Sequence, residues 1–234
     1  MDLDGDGKLD VISGSYWPGD LFVFRGQGGG KYAEGQPIKA KDGKNVSSGQ
    51  TWKSDDEPDT NSLAASPFAH DWDGDGDLDL LVGNIAGRVI LITNEGSREK
   101  PAFGKKEALT AVGADICVNG GDAGPFVADW DGDGLADLLV GCGDGSVMFY
   151  RNTGSRTAPK LDSGVALIQG RGFGDGTEQG ADAPGVRAKI CVTDYDGDGR
   201  LDLLVGDFKS ARGEDPTKNR YDGFVWLYLR RKDA

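Results

Sequence analysis

Short apolar runs, each opened by aspartate and closed by glycine, recur along this chain. They are Asp10-Val11-Ile12-Ser13-Gly14, Asp79-Leu80-Leu81-Val82-Gly83, Asp137-Leu138-Leu139-Val140-Gly141 and Asp202-Leu203-Leu204-Val205-Gly206. Such runs are too short for helices and rich in Val, Leu and Ile, so they predict buried strands. A more strictly alternating run follows each: Leu21 to Arg25, Val89 to Thr93, Val147 to Arg151 and Phe224 to Leu229. Alternation predicts a second strand with two unlike faces. Weaker outer strands are expected near Phe103 to Leu109 and Leu161 to Ile168. Further strands lead into the next unit at Pro67 to His70, Pro125 to Ala128 and Ala188 to Thr193.

Two of the turns between these runs are nearly identical, Asn94 to Arg98 and Asn152 to Arg156, with Pro101 and Pro159 just beyond. Four antiparallel strands per unit, repeated in series, predict the blades of a β-propeller. A parallel β-helix is the structural rival, but its repeats are much shorter. The unit boundaries fall near residues 1–66, 67–124, 125–187 and 188–234 of a single domain. Counted strand by strand, the blades hold three, four, four and three. The expected fold class is therefore all-β: a propeller, or part of one, of about three and a half blades.

The phrase ahead of each buried strand carries the chemistry. Its four copies start at residues 2, 71, 129 and 194. Positions 1, 3, 5 and 9 are always aspartate: Asp2, Asp4, Asp6 and Asp10; Asp71, Asp73, Asp75 and Asp79; Asp129, Asp131, Asp133 and Asp137; Asp194, Asp196, Asp198 and Asp202. Ca²⁺ is a hard cation that takes six to eight oxygens in flexible geometry, whereas Mg²⁺ demands a stricter octahedron. Carboxylates at alternate positions of a tight turn can converge on such an ion. Position 7 can add its backbone carbonyl, which leaves its side chain free to vary among Lys8, Asp77, Leu135 and Arg200. Glycine at positions 4 and 6 supplies the backbone freedom for the wrap. An EF-hand loop would close with Glu at position 12 between helices. Position 12 here is Ser13, Val82, Val140 and Val205, and strands follow. The closing carboxylate is thus the aspartate at position 9, and up to four structural calcium ions are expected.

This phrase, followed by an apolar strand ending in glycine, resembles the FG-GAP/VCBS repeat of integrin α-subunit propellers and many secreted bacterial proteins. The resemblance spans nearly the whole chain. It implies a propeller, usually of seven blades, with calcium held by the aspartates at positions 1, 3, 5 and 9 of all four copies. It also implies a secreted or cell-surface setting. The chain departs from the family in lacking Phe-Gly before most copies. It also has Asp at position 3 where integrin relatives often have Asn.

Composition adds limits. Seventeen of the 39 acidic residues sit in the four phrases, sixteen of them at positions 1, 3, 5 and 9, so much of the net charge of −13 belongs to them. Without a basic stripe, a nucleic-acid partner is not expected. No stretch has the apolar length of a membrane span, and no signal peptide is visible. Because the chain opens on a metal loop, it reads as N-terminally truncated, to be completed by further blades or by a second copy. Cys117, Cys142 and Cys191 show no metal-ligand spacing and read as unpaired thiols, although a Cys117–Cys142 or Cys117–Cys191 bridge stays open.

Strand alternation puts the acidic loops at one end of the blades. The long connections Lys39 to Ser66, Gly113 to Gly124, Gln169 to Gly185 and Asp207 to Asp222 go to the other, where binding usually resides. Tyr16, Trp17, Trp52, Phe173 and Phe208 gather there as a candidate ligand face for an extracellular glycan or protein. Trp72, Trp130 and Tyr195 occupy position 2 of the acidic phrase and read as packing between blades. His70 is the single histidine, and its counterparts, Ala128 and Thr193, cannot act as bases. Arg171, Arg187, Lys53, Asp55, Asp56 and Glu57 form no compelling catalytic set. A non-catalytic binding or adhesion module is the leading expectation. A carbohydrate-active propeller enzyme, such as a polysaccharide lyase, and a purely structural repeat are the alternatives.

Overall fold

A computed structural model describes residues 1–49, 63–171, 184–212 and 219–231. The described residues contain strands, turns and bridges but no helix. The sheets are antiparallel and form four blades of a β-propeller.

Blade one pairs Val11–Gly14 with Leu21–Phe24 and Gln36–Pro37. Blade two runs Ser66–His70, Asp79–Gly83, Val89–Asn94 and Phe103–Ala108. Blade three repeats that order as Gly124–Ala128, Asp137–Gly141, Val147–Tyr150 and Val165–Ile168. In blade four, Val186–Thr193 pairs with the near half of the long strand Asp202–Arg212, which also pairs with Val225–Tyr228. The far half of that strand pairs with Asn219–Asp222. The expected 2–3 loop at Asp207 to Asp222 is therefore partly a hairpin that continues the blade outward. Another short hairpin, Thr110–Ala111 with Ala114–Asp115, lies between blades two and three.

The leading strands of blades two, three and four lie side by side. Apolar cores fill the spaces between successive blades. Blades one and two meet over Leu21, Val23, Leu80, Val82, Ile90 and Ile92. Blades two and three meet over Leu81, Leu91, Val127, Leu138, Val140 and Tyr150. Blades three and four meet over Leu139, Val147, Val192, Leu203 and Val205. The middle strands Asp79–Gly83 and Asp137–Gly141 are buried on both faces, because each has a blade on either side. This explains why their sequences are continuously apolar instead of alternating.

The outward faces of the terminal blades differ. Val11 of blade one, and Val225 and Leu227 of blade four, are exposed there. Position 2 of the acidic phrase shows the same gradient. Leu3 and Trp72 are buried beneath the following blade, and Trp130 lies under Arg230 at 5.1 Å. Tyr195 is 60% exposed. The expected packing role thus describes the first three copies, while Tyr195 has no blade over it among the described residues. The cysteines are unpaired: Cys117 and Cys191 are exposed, and Cys142 is buried, which pushes its thiol up to about 11.

Candidate metal centres

Each acidic phrase folds into the same turn. Both of its glycines take positive φ in every copy, as in Gly74 (74°) and Gly76 (100°). Such angles are open to glycine without steric cost. The turn draws N–H groups onto the carboxylates. The N–H at position 6 donates to the position 1 aspartate: Gly7 to Asp2, Gly76 to Asp71, Gly134 to Asp129 and Gly199 to Asp194, at 2.9–3.3 Å. The N–H at position 7 donates to position 5: Lys8 to Asp6, Asp77 to Asp75, Leu135 to Asp133 and Arg200 to Asp198, at 2.8–3.0 Å.

Position 9 has a role the sequence reading missed. Both oxygens of this buried carboxylate are occupied by backbone donors. In blade two, Asp79 accepts from Trp72 N–H at 3.1 Å and Asn94 N–H at 2.8 Å. Asp10 does the same with Leu3 and Gly26, Asp137 with Trp130 and Asn152, and Asp202 with Tyr195 and Arg230. This aspartate ties the start of its loop to the end of the strand that pairs with the buried strand following it. The repeated spacing from Asp79 to Asn94 and from Asp137 to Asn152 was the available signal.

Carboxylate oxygens converge in all four loops. Those of Asp2, Asp4 and Asp6 lie within 4.8 Å of one another, as do those of Asp71, Asp73 and Asp75. In the other two loops the converging sets are Asp129, Asp131 and Asp137, and Asp194, Asp196 and Asp202. The donors fit a hard divalent cation, since all are oxygens and no histidine or thiol is among them. A second observation supports the fit: Asp2 Oδ1 and Asp4 Oδ1 are inaccessible to solvent yet accept no hydrogen bond. Buried polar atoms are seldom left without a partner.

Electrostatics differ between loops. Burial pushes the Asp79 carboxyl up to about 6 from its usual 3.8. Asp77 rises to about 6 as well, through burial and then the charges of Asp75, Asp73 and Asp71. Hydrogen bonding to Lys8 holds Asp6 below the usual value, and the backbone N–H of Arg230 does the same for Asp202. The metal-free protein therefore holds the Asp77 and Asp79 protons more tightly than the unfolded chain does. Their contribution to stability is fully present below about pH 4 and is lost as pH rises through about 6. In a chelator, the melting temperature is expected to fall between pH 5 and pH 7. Asp77→Asn should flatten that fall when both proteins are melted across the range. An equal fall in the variant would exclude Asp77 as its source.

The other expected residues fall elsewhere. Tyr16 and Trp17 are 63% and 58% exposed between Val11–Gly14 and Leu21–Phe24 of blade one, at the end opposite the acidic loops. Phe208 stacks on Tyr221 at 5.6 Å across the outer hairpin of blade four, at that same end. Trp52 and Phe173 lie outside the described residues, as do Lys53, Asp55, Asp56 and Glu57. Arg187 pairs with Asp122 at 3.6 Å, and Arg171 donates its backbone N–H to Asp144 O. His70 lines a cleft of about 290 Å³ with Asp71, Trp72, Asp129 and Arg156, where burial lowers its imidazole from 6.5.

Fold and loops together define a β-propeller with an acidic, metal-competent loop on each blade. The model of the FG-GAP-like repeat matches residues 2–82, 71–140 and 129–205, and the chain belongs to that family. No curated protein matches the sequence. Among solved structures, similarity extends to an Agrocybe aegerita lectin described as recognising non-reducing terminal N-acetylglucosamine. The two are 20% identical with a TM-score of 0.46, over 99% of this chain and 52% of the lectin. The chain thus spans about half the length of that lectin, and the likeness is too low to bear on its ligand.

Proposed function

We propose that this chain is a non-catalytic, calcium-stabilised propeller module that binds an extracellular glycan or protein on the rim opposite its acidic loops. The observation that carries the binding reading is the exposure of large aromatic side chains on that rim. Tyr16 and Trp17 stand more than half exposed, and the Phe208–Tyr221 pair presents a second aromatic surface. Aromatic faces suit stacking on sugar rings and anchoring of protein partners. The blades supply a rigid platform beneath them, as loop-borne binding sites require.

Calcium belongs to the scaffold side of this reading. The carboxylates at positions 1, 3 and 5, the backbone carbonyl at position 7 and the aspartate at position 9 would hold it. When bound, the ion would neutralise the crowded carboxylates and lock the turn that leads into the buried strand after each acidic phrase. Loops of this kind in extracellular modules need only weak affinity, about 10⁻⁴–10⁻³ M, because calcium is plentiful there. A secreted or cell-surface setting belongs to the same proposal.

A printed glycan array and a binding screen against extracellular-matrix proteins, both in millimolar calcium, test the proposal. A ligand found in either should bind the Tyr16→Ala, Trp17→Ala double variant roughly tenfold or more weakly, the loss typical of a truncated aromatic anchor. A double variant that binds as wild type does would move the site off this rim.

A further inference from the structure

The four acidic loops share their ligands but not their surroundings. In blade one, Arg25 places Nη1 3.0 Å from Asp4 Oδ2 and 2.9 Å from Asp10 Oδ2. In blade three, Arg151 occupies the same register position. Its Nε lies 2.6 Å from Asp131 Oδ2 and its Nη2 3.0 Å from Asp133 Oδ2. The register is fixed by the next residue, Gly26 or Asn152, whose N–H is bound by the position 9 aspartate. The matching residues of blades two and four are Thr93 and Leu229, which carry no charge.

Position 7 widens the difference. Lys8 pairs with Asp6 at 2.9 Å in loop one, and Arg200 pairs with Asp198 in loop four. Loop two has Asp77 there, a fifth carboxylate. Among the described residues, Asp73, Asp75, Asp77 and Asp79 have no cationic partner. Arg156, from the next blade, reaches only Asp71, at 3.4 Å. Loop one, with Lys8, Arg25 and Arg98 (3.8 Å from Asp2), thus carries the most countercharge, and loop two, with five carboxylates against one guanidinium, is the least compensated.

Resting on the calcium reading above, we propose that the loops are a graded series of calcium sites. Arg25 and Arg151 are resident counter-cations, loop two fills at the lowest calcium concentration, and loop one fills at the highest. A divalent ion arriving at Asp4 and Asp10 must repel or displace a guanidinium already held there. An ion arriving at loop two meets five carboxylates with a single guanidinium, Arg156, at their edge on Asp71, and its arrival relieves their mutual repulsion. At separations of a few ångströms, one unit charge changes such an affinity by about tenfold even with strong solvent screening. The second blade is then the first whose loop is locked as calcium rises.

Isothermal titration calorimetry of the chelator-treated chain with calcium chloride tests this. The wild type should show at least two classes of site, the tightest holding one ion. Arg25→Gln should strengthen the weakest class about tenfold. Thr93→Arg, at a half-buried position on the strand facing loop two, should weaken the tightest class about tenfold. Four equivalent sites, or dissociation constants that neither variant shifts by more than about twofold, would overturn the grading and leave calcium binding intact. An absence of calcium heat in the wild type would overturn the calcium reading and the grading with it.

Discussion

Adding a chelator to this chain is expected to lower its melting temperature by roughly 10 °C or more. Each metal-free loop holds at least four carboxylates, and an oxygen from each of three of them lies within 4.8 Å of the others. In water the repulsion between adjacent charges is about 1 kcal/mol, and it is larger beside a protein surface. Calcium at about a hundredfold excess over its dissociation constant stabilises the folded state by about 2.7 kcal/mol per site. For a chain of this size, 1 kcal/mol shifts the melting temperature by about 2–4 °C. Even two loaded sites therefore account for the expected drop. Thermal melts in millimolar calcium, in EDTA and in EDTA followed by excess calcium measure it. Magnesium should restore less of the loss, because it dehydrates reluctantly and favours an octahedron these flexible loops do not impose. Identical melts in calcium and EDTA would remove calcium from the account of stability.

Much of this arrangement was legible in the sequence. The strand pattern predicted blades of three, four, four and three strands, and the observed pairings place strands where those runs lie. It was legible because each blade buries one short apolar strand between two tight turns, so hydrophobicity and glycine mark the same boundaries. Residues whose partners are distant in the chain were not legible. Asp79 and Asp137 look like ordinary metal ligands until their second hydrogen bonds, to Asn94 and Asn152, are seen. Arg25 and Arg151 look like strand ends, since nothing local announces that a guanidinium will fold back onto an acidic loop. The continuation of the last blade beyond Gly206 was hidden because Asp207 and Lys209 read as loop residues. In the fold, Asp207 is satisfied by Phe224 N–H and Trp226 Nε1. Charged residues can extend a strand where the partner strand supplies their hydrogen bonds.

The glycine that closes each buried strand also depends on a neighbour, and it yields a prediction of comparable size. Gly83→Ala is expected to lower the melting temperature by roughly 5–10 °C, whereas Gly206→Ala should leave it within a few degrees of wild type. A Cβ on Gly83 would lie 2.1 Å from the carbonyl oxygen of Ala123, where the chain enters blade three. Gly14 and Gly141 meet the following blade in the same way, at 2.1 Å from Ala65 O and 2.3 Å from Ala188 O. These contacts are with backbone, which cannot rotate aside as a side chain would. Ala123 is fully buried, so the blades themselves would have to separate. Overpacking of this kind typically costs about 1–3 kcal/mol, and more where the backbone must shift. Gly83 does not have positive φ, so alanine is conformationally permitted and the loss isolates the close approach. At Gly206 the nearest atom is Lys189 O of the same blade, at 3.6 Å, an ordinary contact. Differential scanning calorimetry of both variants in saturating calcium separates the two cases. Equal melting temperatures would mean that blades two and three are not held at the backbone distance that requires glycine. A loss confined to Gly83→Ala would show that Gly83 sets the spacing between blades two and three.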